Sequence, residues 1–122
     1  MRKPVLVALV AGFSFLAFAA CGDDDGGSGP RRVVQVAATD QGCTPASIAL
    51  ATGERVSFEV KNDAKKDWEF EGIEGTNIEE VIVPSGRSRN INYTAPSKAG
   101  TQKVKCYPPS GGAETVIELK IG

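Results

Sequence analysis

Residues 53–62 read GERVSFEVKN, and this stretch decides the fold. Val56, Phe58 and Val60 alternate with polar or charged residues. A hydrophobic period of two is typical of a β-strand that packs one face against a core and turns the other to water. The stretch therefore predicts a half-buried strand that begins after a turn at Gly53.

The same period recurs along the chain from residue 33 onward, with turn residues about every ten positions. No segment has the 3.6-residue period of an amphipathic helix. We predict an all-β domain of half-buried, antiparallel strands. The predicted strands span 33–39, 47–51, 55–61, 67–72, 79–83, 89–93, 101–107 and 114–121.

The first twenty residues have the pattern of an export signal. Arg2 and Lys3 precede an apolar run over 5–18, and the small residues Ala19 and Ala20 follow. The run is shorter than the roughly 20 residues of a permanent transmembrane helix, so we expect it to be cleaved.

The sequence Phe18-Ala19-Ala20-Cys21 resembles the lipobox of bacterial lipoproteins, in which the cysteine is acylated. An ordinary secretory signal with a cysteine nearby is the alternative. The next residues, GDDDGGSGP, have nothing apolar to bury, which predicts a flexible tether. We predict a signal peptide (1–20), a lipidated cysteine and tether (21–32) and one folded domain (33–122), anchored to the membrane outside the cytoplasm.

Composition excludes several functions. A net charge of −1 offers no basic surface for nucleic acid. The chain has no histidine to activate a hydrolytic nucleophile. It also lacks a glycine-rich phosphate loop and a Cys-x-x-Cys motif. We therefore predict that the protein is not an enzyme.

Several segments between Gln41 and Gly122 follow one another in a recognisable order. They are CTPASI from Cys43, the strand over 53–62, Trp68-Glu69-Phe70, VPSGRS from Val83, and a late strand that ends in Cys106. This order resembles the cupredoxin-like domain. The resemblance implies a Greek-key β-sandwich of seven to eight strands.

Within that family the chain is similar to the EfeO-type domain of bacterial iron-uptake systems. The matching features are the cysteines Cys43 and Cys106, the step Glu69-Phe70, and the acidic pair Glu79-Glu80 before a Pro-Ser-Gly turn. The resemblance implies that the protein handles a transition metal, copper or iron, outside the cytoplasm. It also implies a partner protein of a metal-uptake system.

Blue-copper chemistry is excluded by the residues themselves. Blue-copper centres hold the ion with two imidazoles and a cysteine thiolate, often with a distant methionine. This chain has no histidine, and its one methionine is Met1. The loop after Cys106, residues 107–113, therefore cannot supply the usual ligands.

Two interpretations of the cysteines stay open. Cys43 and Cys106 could act as thiolates that bind copper or zinc, with Glu69 and Glu80 as candidate carboxylate ligands. Alternatively they form a disulfide, which an oxidising compartment favours. Closing a loop of that length would stabilise the domain by about 4 kcal/mol on the chain-entropy model.

Acidic residues form a second candidate metal site. Carboxylates alternate along one predicted strand and continue after it, and hard oxygen ligands suit ferric iron or calcium. The alternative is a solvated face whose charges pair with neighbouring lysines and arginines. The acidic residues are Asp67, Glu69, Glu71, Glu74, Glu79 and Glu80, and the candidate basic partners are Lys65, Lys66, Arg87 and Arg89.

Two functional hypotheses follow. The first is a membrane-anchored cupredoxin-like protein that binds copper or iron without histidine ligands, as an accessory to metal uptake. The second is a metal-free β-sandwich that acts as an interaction module of the cell envelope. The oxidation state of Cys43 and Cys106 distinguishes these possibilities. Free thiols would allow a thiolate metal site, whereas a disulfide would exclude it.

Overall fold

The computed structural model describes residues 30–122, and this part of the chain folds into nine β-strands with no helix. The predicted signal peptide and Cys21 lie outside the described residues. The strands are β1 (Arg32–Thr39), β2 (Gly42–Thr44), β3 (Ser47–Leu50), β4 (Arg55–Asn62), β5 (Trp68–Ile73), β6 (Val81–Val83), β7 (Ser88–Thr94), β8 (Gly100–Tyr107) and β9 (Thr115–Ile121).

The strands form two sheets that pack face to face. The first sheet has the order β2-β1-β4-β7, and the second has the order β3-β9-β8-β5-β6. Alternate residues of each strand enter the space between the sheets, where Phe58 lies at the centre with its ring centroid 5.7 Å from that of Phe70 and 5.9 Å from that of Tyr93. The prediction of an all-β sandwich is confirmed.

All eight predicted strands are present, with ends shifted by one or two residues. Two expectations were wrong. Uniformly antiparallel pairing fails because β1 pairs with β4, and β3 with β9, in parallel. Alternation reports which face of a strand is buried, not the direction of its neighbour. Glu79 and Glu80 also lie in the loop before β6 rather than in a strand.

Strand β2 was not predicted, since it is only three residues long and carries no alternation of its own. Its position depends on Gly42, which has φ of +126°. A Cβ added there would collide with the Thr115 side chain, so only glycine allows β2 to approach β9 this closely. Cys43, the next residue, is thereby placed against the second sheet.

The buried apolar residues of the described chain all lie between Val34 and Ile121. Residues 30–122 thus have a hydrophobic core of their own, and we expect them to fold as a separate unit. Within this region there is no helix long and apolar enough to cross a membrane.

Candidate functional site

A disulfide joins Cys43 of β2 to Cys106 of β8, with a Cα–Cα distance of 6.2 Å. It links the first sheet to the second. The Cys43 N–H donates a 2.9 Å hydrogen bond to Thr115 Oγ1, and this hydroxyl lies 3.4 Å from the Cys106 carbonyl. Both cysteines are buried. The structure therefore confirms the disulfide interpretation of the two cysteines.

Glu69 directly precedes Phe70, the residue that pairs with Cys106, but its side chain lies on the other side of the sheet. The β5–β8 register places Phe70 opposite Cys106 and Glu69 opposite Tyr107. Since successive side chains point to opposite faces, Glu69 and Tyr107 share the outer face while Cys106 faces the core. The structure does not bring Glu69 to the two sulfur atoms, and metal binding by these residues stays a prediction.

The outer face instead gathers three carboxylates around one phenol. Glu69, Glu71 and Glu80 lie together next to Tyr107, and we call these four residues the carboxylate cluster. Glu69 is only 8% exposed although it is charged and lies on an outer face. Its neighbours across the sheet, Ile82 and Tyr107, flank it on both sides.

The cluster concentrates negative charge. The charge of Glu69 is the main cause that raises the pKa of Glu80, and the charge of Glu71 contributes to the same effect. Repulsion between the carboxylates thus favours the protonated form of Glu80. Hydrogen bonding to Glu69 likewise raises the pKa of the Tyr107 phenol. That hydroxyl also donates a long hydrogen bond of 3.4 Å to Glu71 Oε2.

The ammonium group of Lys105 lies at the edge of the carboxylate cluster. Lys105 Nζ lies 4.3 Å from the centre of the Tyr107 ring and 3.2 Å from Glu114 Oε2. The ammonium group thus contacts the ring and a carboxylate outside the cluster. None of the salt bridges in the described residues involves Glu69, Glu71 or Glu80, so their charge is not neutralised by an ion pair.

The other predicted acidic residues have different roles. Asp67 accepts a 3.0 Å hydrogen bond from the Ser85 N–H and closes a turn. Glu74 forms a 2.9 Å salt bridge with Lys103. Glu79 is exposed on the loop before β6. The predicted acidic set thus separates into a three-carboxylate cluster and individual surface residues.

Asn62 is a residue that the sequence marked only as part of a turn. It is fully buried at the end of β4, where its Nδ2 donates to the carbonyls of Lys66 (2.8 Å) and Val83 (2.9 Å). Its Oδ1 accepts from the Ala64 N–H at 2.8 Å. An Asn-Asp pair after a strand indicates a turn, but it does not reveal a fully buried amide.

The loop after Cys106 is closed by short contacts of its own. The Gly111 N–H donates to the Pro108 carbonyl at 3.0 Å, and Lys66 Nζ donates to the Gly111 carbonyl at 3.1 Å. Residues 107–113 contain no histidine and no methionine. With Cys106 in a disulfide and histidine absent from the chain, the residues present do not fit a blue-copper ion.

The remaining metal-ligating side chains of the described residues are dispersed. Among residues 30–122, no group of three or more cysteine, aspartate or glutamate side chains has the arrangement of a metal site. Any ion at the carboxylate cluster would therefore need a donor of another type besides two carboxylates. Tyr107 is the oxygen donor available there.

Solved structures of copper proteins share this fold. An auracyanin from Roseiflexus castenholzii, solved after reduction with dithionite, has a TM-score of 0.60 at 16% identity, over 77% of this chain and 99% of its own. Auracyanin A, a blue copper protein from Chloroflexus aurantiacus, has a TM-score of 0.62 at 12% identity, over 76% and 100%. These identities establish a common fold and no more.

An enzyme also shares the fold. A multi-copper oxidase from Pediococcus acidilactici has a TM-score of 0.52 at 16% identity, and the match covers 74% of this chain and 26% of the oxidase. The fold thus occurs in enzymes as well as in other proteins, and the absence of enzymatic activity here stays a prediction. No curated protein matches the chain in sequence.

One protein family matches most of the chain in sequence: the cupredoxin-like domain, over residues 6–115. The match agrees with the two-sheet sandwich and with the resemblance found from the sequence. On this evidence the chain belongs to the cupredoxin-like domain family.

Proposed function

We propose that this protein is a membrane-anchored, extracytoplasmic cupredoxin-like protein that binds a transition metal without histidine, in the manner of the EfeO-type domains of iron-uptake systems. The observation that carries the proposal is the carboxylate cluster: Glu69, almost fully buried, lies next to the Tyr107 phenol, and its charge raises the pKa of the neighbouring Glu80. A cation at this point would relieve the repulsion that raises the pKa of Glu80.

Ferric iron suits this donor set better than copper does. Carboxylate and phenolate oxygens are hard ligands, whereas Cu(I) prefers thiolates. With Cys43 and Cys106 joined in a disulfide, the cluster offers only oxygen. Bound iron would also favour the ionised phenol, because the positive charge of the ion offsets that of the carboxylates. Glu69, Glu80 and Tyr107 would then hold the ion.

The test is a titration of residues 30–122 with ferric nitrilotriacetate. We expect a visible absorption band from charge transfer between the phenolate and iron, and saturable binding. Glu69→Gln and Glu80→Gln should each weaken binding by about tenfold, or about 1.4 kcal/mol. Tyr107→Phe should abolish the band. Glu118→Gln, on the same sheet face but outside the cluster, is the matched control.

Copper requires a separate experiment. Reduction of the Cys43–Cys106 disulfide would create two thiolates in the core, and these should bind Cu(I). Free thiols are counted by alkylation and intact mass before and after reduction. Binding of Cu(I) that survives in a Cys43→Ser/Cys106→Ser variant would exclude the thiolates as ligands.

A metal-free interaction module is the second candidate function. The closed disulfide favours it, because the thiolates that copper would need are not available in this form. This candidate predicts that neither iron nor copper binds in a saturable manner. Binding of ferric iron that depends on Glu69 and Glu80 would exclude it.

A further inference from the structure

Strand β7 is the longest free edge of the sandwich. The four edge strands are β2, β7, β3 and β6, and they contain three, seven, four and three residues. A free edge exposes unpaired main-chain N–H and C=O groups that can pair with another strand. Only β7 is long enough to offer several such groups in a row.

Hydrogen bonds at both ends of the β4–β7 pair show which residues face the free side. The Asn62 N–H bonds to the Arg87 carbonyl at 2.9 Å, and the Ala95 N–H bonds to the Glu54 carbonyl at 2.8 Å. In an antiparallel ladder the bonded residues alternate, so odd-numbered residues of β7 bond to β4. The even-numbered residues direct their main-chain groups outward. These are Ser88, Asn90, Asn92 and Thr94.

The outward residues are all uncharged and exposed. Natural edges are commonly blunted with lysine, proline or a bulge, and this one has none of these between Ser88 and Thr94. Its one charge is Arg89, whose Nη1 donates to the Ser88 carbonyl at 3.0 Å. A cleft of about 420 Å³ lies along the edge, between β7 and the loop before β6.

We propose that the β7 edge pairs with β7 of a second copy of this chain, in antiparallel orientation about a two-fold axis through Ile91. In this register Asn90 lies opposite Asn92 of the second copy, and Ser88 opposite Thr94. All four outward residues then pair, which gives about eight main-chain hydrogen bonds at two per pair once the Arg89 guanidinium releases the Ser88 carbonyl. The first sheets of the two copies become one continuous sheet.

Charge complementarity favours a second copy over other occupants. The same register places Arg89 opposite Tyr93 of the second copy, at the inner side of the sheet. Glu79 lines the cleft together with Asn90 and Asn92. Neither Arg89 nor Glu79 has a salt-bridge partner within residues 30–122. The two-fold axis would bring each Arg89 toward the Glu79 side of the other copy, twice per dimer.

The oligomeric state tests the proposal. An edge-to-edge contact is small, so we expect a weak dimer, visible by sedimentation velocity between about 10 µM and 1 mM of residues 30–122. Asn92→Pro removes an outward N–H without disturbing the bonds to β4, and it should leave a folded monomer. Asn92→Thr keeps the N–H and should still form the dimer.

Cross-linking tests the register. The double variant Ser88→Cys/Thr94→Cys places a cysteine of one copy opposite a cysteine of the other in the β7–β7 pair. Their Cα atoms would lie about 5.5 Å apart, a distance that a disulfide can span. We expect a covalent dimer on mild oxidation. Either substitution alone leaves its two cysteines at opposite ends of the seam, so neither should cross-link.

Two results would overturn the proposal. A chain that stays monomeric at every concentration would leave the β7 edge open to an extended segment of another protein. A dimer that persists unchanged in Asn92→Pro would use a different surface. Circular dichroism of each variant confirms that the sandwich is intact.

Discussion

The fully buried Asn62 joins three main-chain groups that no strand pairs. Replacing it by alanine leaves the carbonyls of Lys66 and Val83 and the Ala64 N–H without a partner in the core. Each unsatisfied buried group costs about 1–3 kcal/mol, and we expect Asn62→Ala to lower the free energy of unfolding by about 3 kcal/mol.

Urea unfolding followed by tryptophan fluorescence measures this loss, because Trp68 is buried and is the one tryptophan of the chain. Asn77→Ala is the control: the residue is exposed in a loop, and the expected change is within about 0.5 kcal/mol. Equal stabilities of the two variants would show that the Asn62 amide contributes nothing.

Because of Glu80, we expect the free energy of unfolding to fall as pH rises, which is the opposite of the usual effect of a carboxyl group. Its pKa is raised above the ordinary glutamate value of 4.5, mainly by the charge of Glu69. In the window above 4.5 the folded state therefore binds more protons than the unfolded state, and stability falls as pH rises through it. In a chelator, Glu80→Gln should be more stable than the wild type at neutral pH, and the difference should vanish below pH 4.5.

Thermal unfolding at a series of pH values checks this expectation. Glu118→Gln supplies the comparison, since Glu118 lies outside the carboxylate cluster and contacts Lys120 at 3.8 Å. A Glu80→Gln variant that is less stable than the wild type at neutral pH would contradict the raised pKa.

At the scale of elements, the disulfide ties strand β2 of one sheet to β8 of the other. The sequence separation of 63 implies that the double variant Cys43→Ala/Cys106→Ala loses about 4 kcal/mol of stability. Urea unfolding measures the loss, and the wild type unfolded in reductant should lose a similar amount. A loss under about 1 kcal/mol in both would indicate that β2 is held by its contacts with Thr115 and β1 alone.

Gly72 of β5 allows the loop after this strand to pack closely against it. A Cβ at this position would collide with the Thr76 carbonyl and lie 2.9 Å from the Ile78 nitrogen, both main-chain atoms. We expect Gly72→Ala to cost about 1–3 kcal/mol and to displace the loop that carries Glu80. It should therefore weaken ferric binding as well as stability. Gly122→Ala, where an added Cβ meets no atom within 4 Å, should change neither.

The elements also show what sequence alone can predict. Alternation located eight strands, because burial of one face imposes a period of two on each. It missed Gly42–Thr44, whose position depends on a close approach to Thr115 far along the chain. It placed Glu69 and Glu71 on one strand face, but it did not separate them from the individual surface residues Asp67, Glu74 and Glu79. It also did not predict the burial of Glu69, which arises from Tyr107 and Ile82 on neighbouring strands.

For the whole molecule, the disulfide and the carboxylate cluster lie on opposite faces of the second sheet. Soft sulfur and hard oxygen donors are therefore separated by the sheet itself, although Cys106 and Tyr107 are adjacent in sequence. The sequence could suggest both donor sets but not this separation, because it depends on the register between β5 and β8. A single site built from Cys43, Glu69 and Cys106 would require a different register.

The anchoring of the whole molecule depends on Cys21 in our proposal. The nine residues from Gly22 to Pro30 could span at most about 30 Å, so an acyl chain on Cys21 would keep the sandwich close to the membrane surface. We expect the exported wild type to sediment with membranes and to gain mass from acylation, measured by intact mass spectrometry in detergent. Cys21→Ser should appear in the soluble extracytoplasmic fraction without the added mass, while its sandwich and ferric binding stay unchanged. A Cys21→Ser protein that remains with the membranes would show that another segment anchors it, whereas a soluble wild type would mean an ordinary secretory signal and a protein that meets its metal in solution.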